Sequence, residues 1–124
     1  MGRPVAYRGS RFTIVYAVRL NQTSPGEEFY DALGDTDKAK LNKLFEVLGD
    51  HGKIVNEEKF KRIDDTKFFE FKSFQIRLPC FFAPGGLVVI THGFSKKKDK
   101  TPKSEIARAE MIKKEDEERE RDES

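Results

Sequence analysis

A chain of 124 residues with 24 basic and 22 acidic side chains, net charge +2, has room for one domain built on one hydrophobic core. Its single cysteine, Cys80, cannot close an internal disulfide, which points to a reducing compartment. No apolar run approaches the length of a membrane span and no signal-peptide pattern is present, so a cytoplasmic protein without membrane contact is expected.

The charge is uneven along the chain. Residues 105–124 hold nine acids and five bases, whereas residues 53–103 hold twelve bases and six acids. A local excess of this kind favours contact with a polyanion such as nucleic acid, or simply makes a solvated surface.

Residues 1–11 lack periodicity and read as a flexible arm. Phe12–Leu20 alternates and is rich in Val, Ile and Tyr, the pattern of a strand. Ser24-Pro25-Gly26-Glu27 fits a capping box with proline at the first helical position. A short helix follows, with Phe29, Ala32 and Leu33 on its apolar side, and Gly34 ends it. A second helix is expected from about Thr36 to Leu48, because Leu41, Leu44, Phe45 and Leu48 fall on one stripe. Gly49 and Gly52 are expected to stop it. The two helices make a hairpin with one sheet-facing side.

Glu57–Ile63 reads as a turn of helix. Three strands follow, at Lys67–Ser73, Gln75–Phe82 and Leu87–Phe94. The last is apolar on both faces and therefore central. Thr101 and Pro102 read as the N-cap and first residue of a closing helix, docked by Ile106, Ala109 and Ile112. Beyond Lys113 nothing is apolar, so residues 115–124 are expected to be a charged tail, a solvated helix or disordered, of which residues 116–124 can be deleted at little cost. The order β-α-α-β-β-β-α is that of an α+β domain over residues 12–114, with a mainly antiparallel sheet backed by the helical hairpin.

Three segments together resemble a known family. SPGEEFYDAL, KFFEFKSFQIRLPCFF and VVITHGFSKKKDKTPKSEI, in this order, are similar to the RelE/HigB superfamily of bacterial toxins, and especially to its phage-derived HigB-like branch. The ending HGF-x-KK-x-x-KTP is the most specific part. The resemblance implies a RelE-like curved sheet whose concave face takes RNA. It also implies a type II toxin that cleaves mRNA on the ribosome, paired with a cognate antitoxin that often carries a helix-turn-helix. Lys72 stands where many members have arginine, and Cys80 where many have an aromatic residue.

Metal-free RNA cleavage uses the neighbouring 2′-OH as nucleophile. It needs a proton acceptor, a proton donor for the 5′-oxygen, and cations for the charge that develops on the phosphorane. His51 and His92 are isolated and no spacing of acids and histidines matches a metal site, so neither metal nor other cofactor is expected. Arg77 lies on the face opposite Ile76 and Leu78, and its planar fork suits a phosphate oxygen, or a salt bridge with Glu70. Lys96, Lys97 and Lys100 follow the last strand, where mutual repulsion can bring one amine towards useful acid–base range. His92 titrates near neutrality and reads equally as a catalytic or a buried structural residue. Lys59, Lys61, Lys72, Lys98 and Lys100 are candidate phosphate contacts, or exposed lysines only. Phe81 can stack a base or fill the core, and Cys80 reads as a core filler. Two other readings remain at this stage: a ParE-like toxin that binds gyrase without being an enzyme, and an inactive prophage-derived binding module.

Overall fold

Leu41, Phe45 and Leu48 form the buried stripe of the longest helix of the hairpin, α2 (Asp35–His51). The computed structural model describes residues 2–96 and 100–123. The helix runs past Gly49 and ends at Gly52, whose φ of 84° is a left-handed conformation that costs a glycine little. Before it comes α1 (Pro25–Asp31), with Pro25 at its start. Ser24 is the N-cap residue, but its hydroxyl donates to the Ala17 carbonyl and not to the helix end.

The strands are β1 (Val5–Arg8), β2 (Thr13–Tyr16), β3 (Phe60–Arg62), β4 (Phe69–Ser73), β5 (Ile76–Ala83), β6 (Leu87–Ile90) and β7 (Phe94–Ser95). A last helix, α3, spans Lys103–Glu123. The sheet order is β1-β2-β6-β5-β4-β3, with β7 paired to β5. All pairs are antiparallel except β2 with β6, which are parallel. The architecture is therefore α+β with a mostly antiparallel open sheet and three helices.

Alternation along the strands divides the core in two. Ile14, Phe71, Ile76, Leu78, Cys80, Val88 and Ile90 pack with the stripe of α2 on the hairpin side. Val15, Phe81 and Val89 pack with Ala109 and Ile112 of α3 on the other. The face opposite the hairpin is thus partly roofed by α3. Burial in the first core pushes the Cys80 thiol pKa up, as its role as a filler requires.

Three expectations need correction. Val5–Arg8 is not a flexible arm; it pairs with β2. Phe60–Arg62 is an edge strand on β4, where a turn of helix was expected. The strand expected from Leu87 to Phe94 is broken into β6 and β7. Gly93 lies in this break, where an added Cβ would stand 2.2 Å from the Phe29 ring, so α1 needs a glycine there.

The charged tail is also different from its expectation. Asp116 is fully buried and Arg119 is 3% exposed. Asp116 accepts hydrogen bonds from Arg3 Nε at 3.1 Å, from Arg3 Nη2 at 2.6 Å and from the Val18 amide at 2.9 Å. Arg119 Nε donates to the Val18 carbonyl at 3.1 Å. Arg19 and the Leu20 amide donate to Glu115 beside them. No helix is long and apolar enough to cross a membrane among the described residues.

Candidate functional site

The site is built on the β4–β5 hairpin. Register places Lys72 opposite Arg77 on these strands, and Lys61 of β3 opposite Glu70. Because Phe69 and Phe71 pack on the hairpin side, Glu70 and Lys72 turn to the other face, beside Arg77. The short strand β7 then lies along the start of β5, with Arg77 opposite Phe94 and the Lys96 amide bonded to the Gln75 carbonyl. That pairing brings Lys96 to the same place.

Glu70 is the hub. The residue is 4% exposed. The Thr101 hydroxyl donates to it at 3.1 Å, Lys96 Nζ stands 3.7 Å away and Arg77 Nε 4.0 Å away. Lys96 Nζ also donates to the Thr101 hydroxyl at 3.3 Å. Thr101 therefore does not spend its hydroxyl as a helix cap. Instead α3 begins at Lys103, with the Pro102 carbonyl accepting from the Glu105 and Ile106 amides.

Arg77 is 8% exposed. Nη1 donates to the carbonyls of Phe74 and Ile76, which fixes the plane of the guanidinium. Nε is buried with no hydrogen-bond acceptor. The Nε–Nη2 edge is the side-on fork that this protein uses elsewhere, from Arg3 to Asp116 and from Arg19 to Glu115. In Arg77 the Nε end of this edge is buried and faces the Glu70 carboxylate at 4.0 Å, an ion pair too long for a hydrogen bond. Arg77 and Lys96 thus share one buried carboxylate.

A groove of about 560 Å³ runs along this face, lined by residues that include Lys61, Arg62, Lys72, Lys100, Glu70 and Thr101. It gathers three of the expected phosphate contacts, and Lys59 is exposed on the approach to β3. Its charge is mixed, because Glu57, Glu58 and Asp64 also line it. Lys72 Nζ donates to the Glu57 carbonyl at 3.3 Å. Lys97 and Lys98 lie outside the described residues.

His92 has no exposed surface. Its Nε2 meets Glu105 Oε1 at 3.0 Å and its Nδ1 meets the Thr91 hydroxyl at 2.9 Å. A carboxylate only accepts, so we assign the proton to Nε2, and Nδ1 accepts from Thr91. Burial holds the imidazole pKa below its ordinary value of 6.5; the Glu105 bond opposes this and nearby Arg108 adds to it. The ring therefore ties the end of the sheet to the first turn of α3, at both ends of the lysine loop. Protonating it costs more in the folded protein than in the unfolded chain. Stability is present above pH 6.5 and is lost as pH falls below it. Chemical denaturation from pH 7 to pH 5 should show a steeper loss in wild type than in His92→Gln; equal slopes would assign the loss to other groups.

Phe81 is 2% exposed, in the core under α3, with Lys113 Nζ 5.2 Å from its ring centre. No base can stack on it in this arrangement. His51 is exposed at the end of α2. Two features of the site were missed from sequence. Thr101 was read only as a cap, although a hydroxyl three residues after a lysine run had other partners to choose from. Phe74, at the tip of the β4–β5 turn, was overlooked. It is 72% exposed, its φ is 55°, and Lys40 Nζ lies 3.9 Å over its ring. The alternation of the flanking strands ends at this residue, and that was the available signal.

Comparison with known proteins bears on the same region. No curated protein matches the chain. A family model described as "Phage derived protein Gp49-like (DUF891)" matches residues 28–114, from α1 through the sheet and the lysine loop into α3. The match covers every residue named here in the groove and around Glu70. The chain therefore belongs to the phage-derived Gp49-like family, a toxin-like family of RelE/HigB type.

Proposed function

We propose that this protein is the toxin of a type II toxin–antitoxin pair, and that it cleaves mRNA on the ribosome by 2′-OH attack without a metal. Family membership supports the toxin reading. The observation that supports the chemistry is the gathering of Arg77 and Lys96 around the Glu70 carboxylate, beside a groove lined by Lys61, Lys72 and Lys100. In the proposed step the 2′-oxygen attacks the adjacent phosphorus and the bond from phosphorus to the 5′-oxygen breaks. The 2′-OH gives up its proton to a base, and the 5′-oxygen takes one. Arg77 and Lys96 offset the charge on the phosphorane. Lys97, next in the chain, is the proposed donor or acceptor of these protons. Lys59, Lys61, Lys72, Lys98 and Lys100 hold flanking phosphates. His92 acts through Glu105 by fixing the loop. A cognate antitoxin, with a helix-turn-helix of its own, keeps the toxin silent.

The test is incubation of the purified protein with ribosomes carrying a defined mRNA, with and without EDTA. Cleavage that resists EDTA and leaves 2′,3′-cyclic phosphate and 5′-OH ends is expected. Intact mRNA together with inhibition of gyrase supercoiling would replace this reading with the ParE-like one.

A further inference from the structure

Thr101 stands just before α3, where a threonine hydroxyl ordinarily caps the helix and stabilises it. Here the hydroxyl turns inward. It donates to both oxygens of Glu70 at 3.1 Å and accepts from Lys96 Nζ at 3.3 Å. The proline that follows pushes Thr101 towards extended backbone, away from the helix it precedes. Lys96 and Thr101 flank residues 97–100, so both ends of the lysine loop meet on one carboxylate of β4.

This cluster is a poor way to gain stability. Glu70 is 4% exposed, Thr101 7%, and Arg77 and Lys96 8% each. Apolar side chains of similar volume often hold a fold as well as buried ionic groups do. A lysine kept out of water also gives up much rotamer freedom. Ser95 and Lys100, close by in the chain, stay exposed. Glu70 and Thr101 also line the groove. A buried polar network at the wall of a groove fixes where its charges stand, and a site depends on that.

We propose that Thr101 is a positioning residue of the RNA site, whose hydroxyl fixes the Lys96 amine beside Arg77 on the carboxylate that both cations share. This rests on the RNA-cleavage reading above, in which Lys96 and Arg77 offset the phosphorane charge. Thr101 itself touches no reacting atom. A lysine amine is a point charge on a flexible stem. Glu70, 3.7 Å from it, attracts the amine without directing it. The hydroxyl adds the directional bond.

The test is single-turnover cleavage of ribosome-bound mRNA by the full chain, at a temperature well below every variant's thermal midpoint. Thr101→Val keeps the shape and loses the hydroxyl. Its rate at saturating protein should fall by about 10- to 100-fold, the scale of a misplaced catalytic group. The protein concentration that half-saturates the rate should stay near wild type. Thr101→Ser should keep most of the rate, and Thr101→Ala replaces Thr101→Val if the latter does not fold. Lys96→Met should slow cleavage at least as much as Thr101→Val. The double variant should be no slower than Lys96→Met, because the hydroxyl then has no amine to place. Wild-type rate in Thr101→Val or in Lys96→Met would overturn this inference and leave the RNase reading standing. So would a double variant slowed by the product of the two single effects, which would make Thr101 a prop of the fold independent of Lys96. Thr101→Ser as slow as Thr101→Val, or a loss confined to the half-saturating concentration, would also overturn it. A wild-type protein that does not cleave the mRNA would end the RNase reading, and this one with it.

Discussion

Arg77→Ala is expected to slow cleavage of ribosome-bound mRNA by about 10²–10³-fold, the usual effect of losing one donor aimed at transition-state charge. From the face it occupies alone, the substitution looks harmless to the fold. Its surroundings say otherwise. Nη1 satisfies the carbonyls of Phe74 and Ile76, and the guanidinium stands beside the buried Glu70 carboxylate. Removing it leaves those acceptors short of a donor, at a cost of about 1–3 kcal/mol. Activity and stability should therefore fall together, and each needs its own measurement. Arg77→Lys keeps the charge but cannot present a fork, so it should retain most of the stability while cleavage stays low. Single-turnover cleavage and thermal melting of both variants decide the matter. Full activity in Arg77→Ala would remove Arg77 from the chemistry.

Asp116→Ala should be the most destabilising single change on α3. The carboxylate is fully buried between Arg3 and the Val18 amide, with Arg119 on its own helix close by. Alanine leaves the Val18 N–H and the Arg3 guanidinium without their acceptor. Breaking a buried ionic pair from one side costs about 3–5 kcal/mol. For a chain of this length that is a fall in thermal midpoint on the order of 10 °C. Truncation that removes residues 116–124 should do the same. Asp122→Ala, at an exposed position three residues beyond Arg119, should stay within about 0.5 kcal/mol of wild type. A midpoint unchanged by Asp116→Ala would mean that Arg3 and Val18 find other partners.

These two sites show what could be read from the sequence and what could not. The stripe of Leu41, Leu44, Phe45 and Leu48 is a burial signal with a helical period, and α2 follows it. Ile106, Ala109 and Ile112 did the same for the start of α3. The alternation around Ile76 and Leu78 correctly set Arg77 on the face away from the hairpin. By contrast, Asp116 and Arg119 sit in a run of charges, and nothing in the run marks two of them as buried. Their burial depends on Arg3 and Val18, about a hundred residues away. Strands β1 and β3 are four and three residues long, too short to show a period, and each exists because a neighbour offers an edge. The same limit applies to the site. Composition found the lysines, but three of the four acids in the groove, Glu57, Glu58 and Asp64, flank β3 and reach it only once β3 has paired with β4.

The parallel seam between β2 and β6 also orders events in time. β4 and β5 are joined by a two-residue turn and can pair as soon as they exist. Thr13–Tyr16 must wait for Leu87–Ile90, and Val18 must wait for Asp116. Contacts so distant along the chain form slowly, because the loop between them has to close first. On a translating ribosome, the hairpin that carries Arg77 emerges well before the segments that complete the sheet and bind α3. The turn before Arg77 is thus early and local, while the frame that holds it is late and global, and the finished sheet appears only once β6 and α3 have left the exit tunnel.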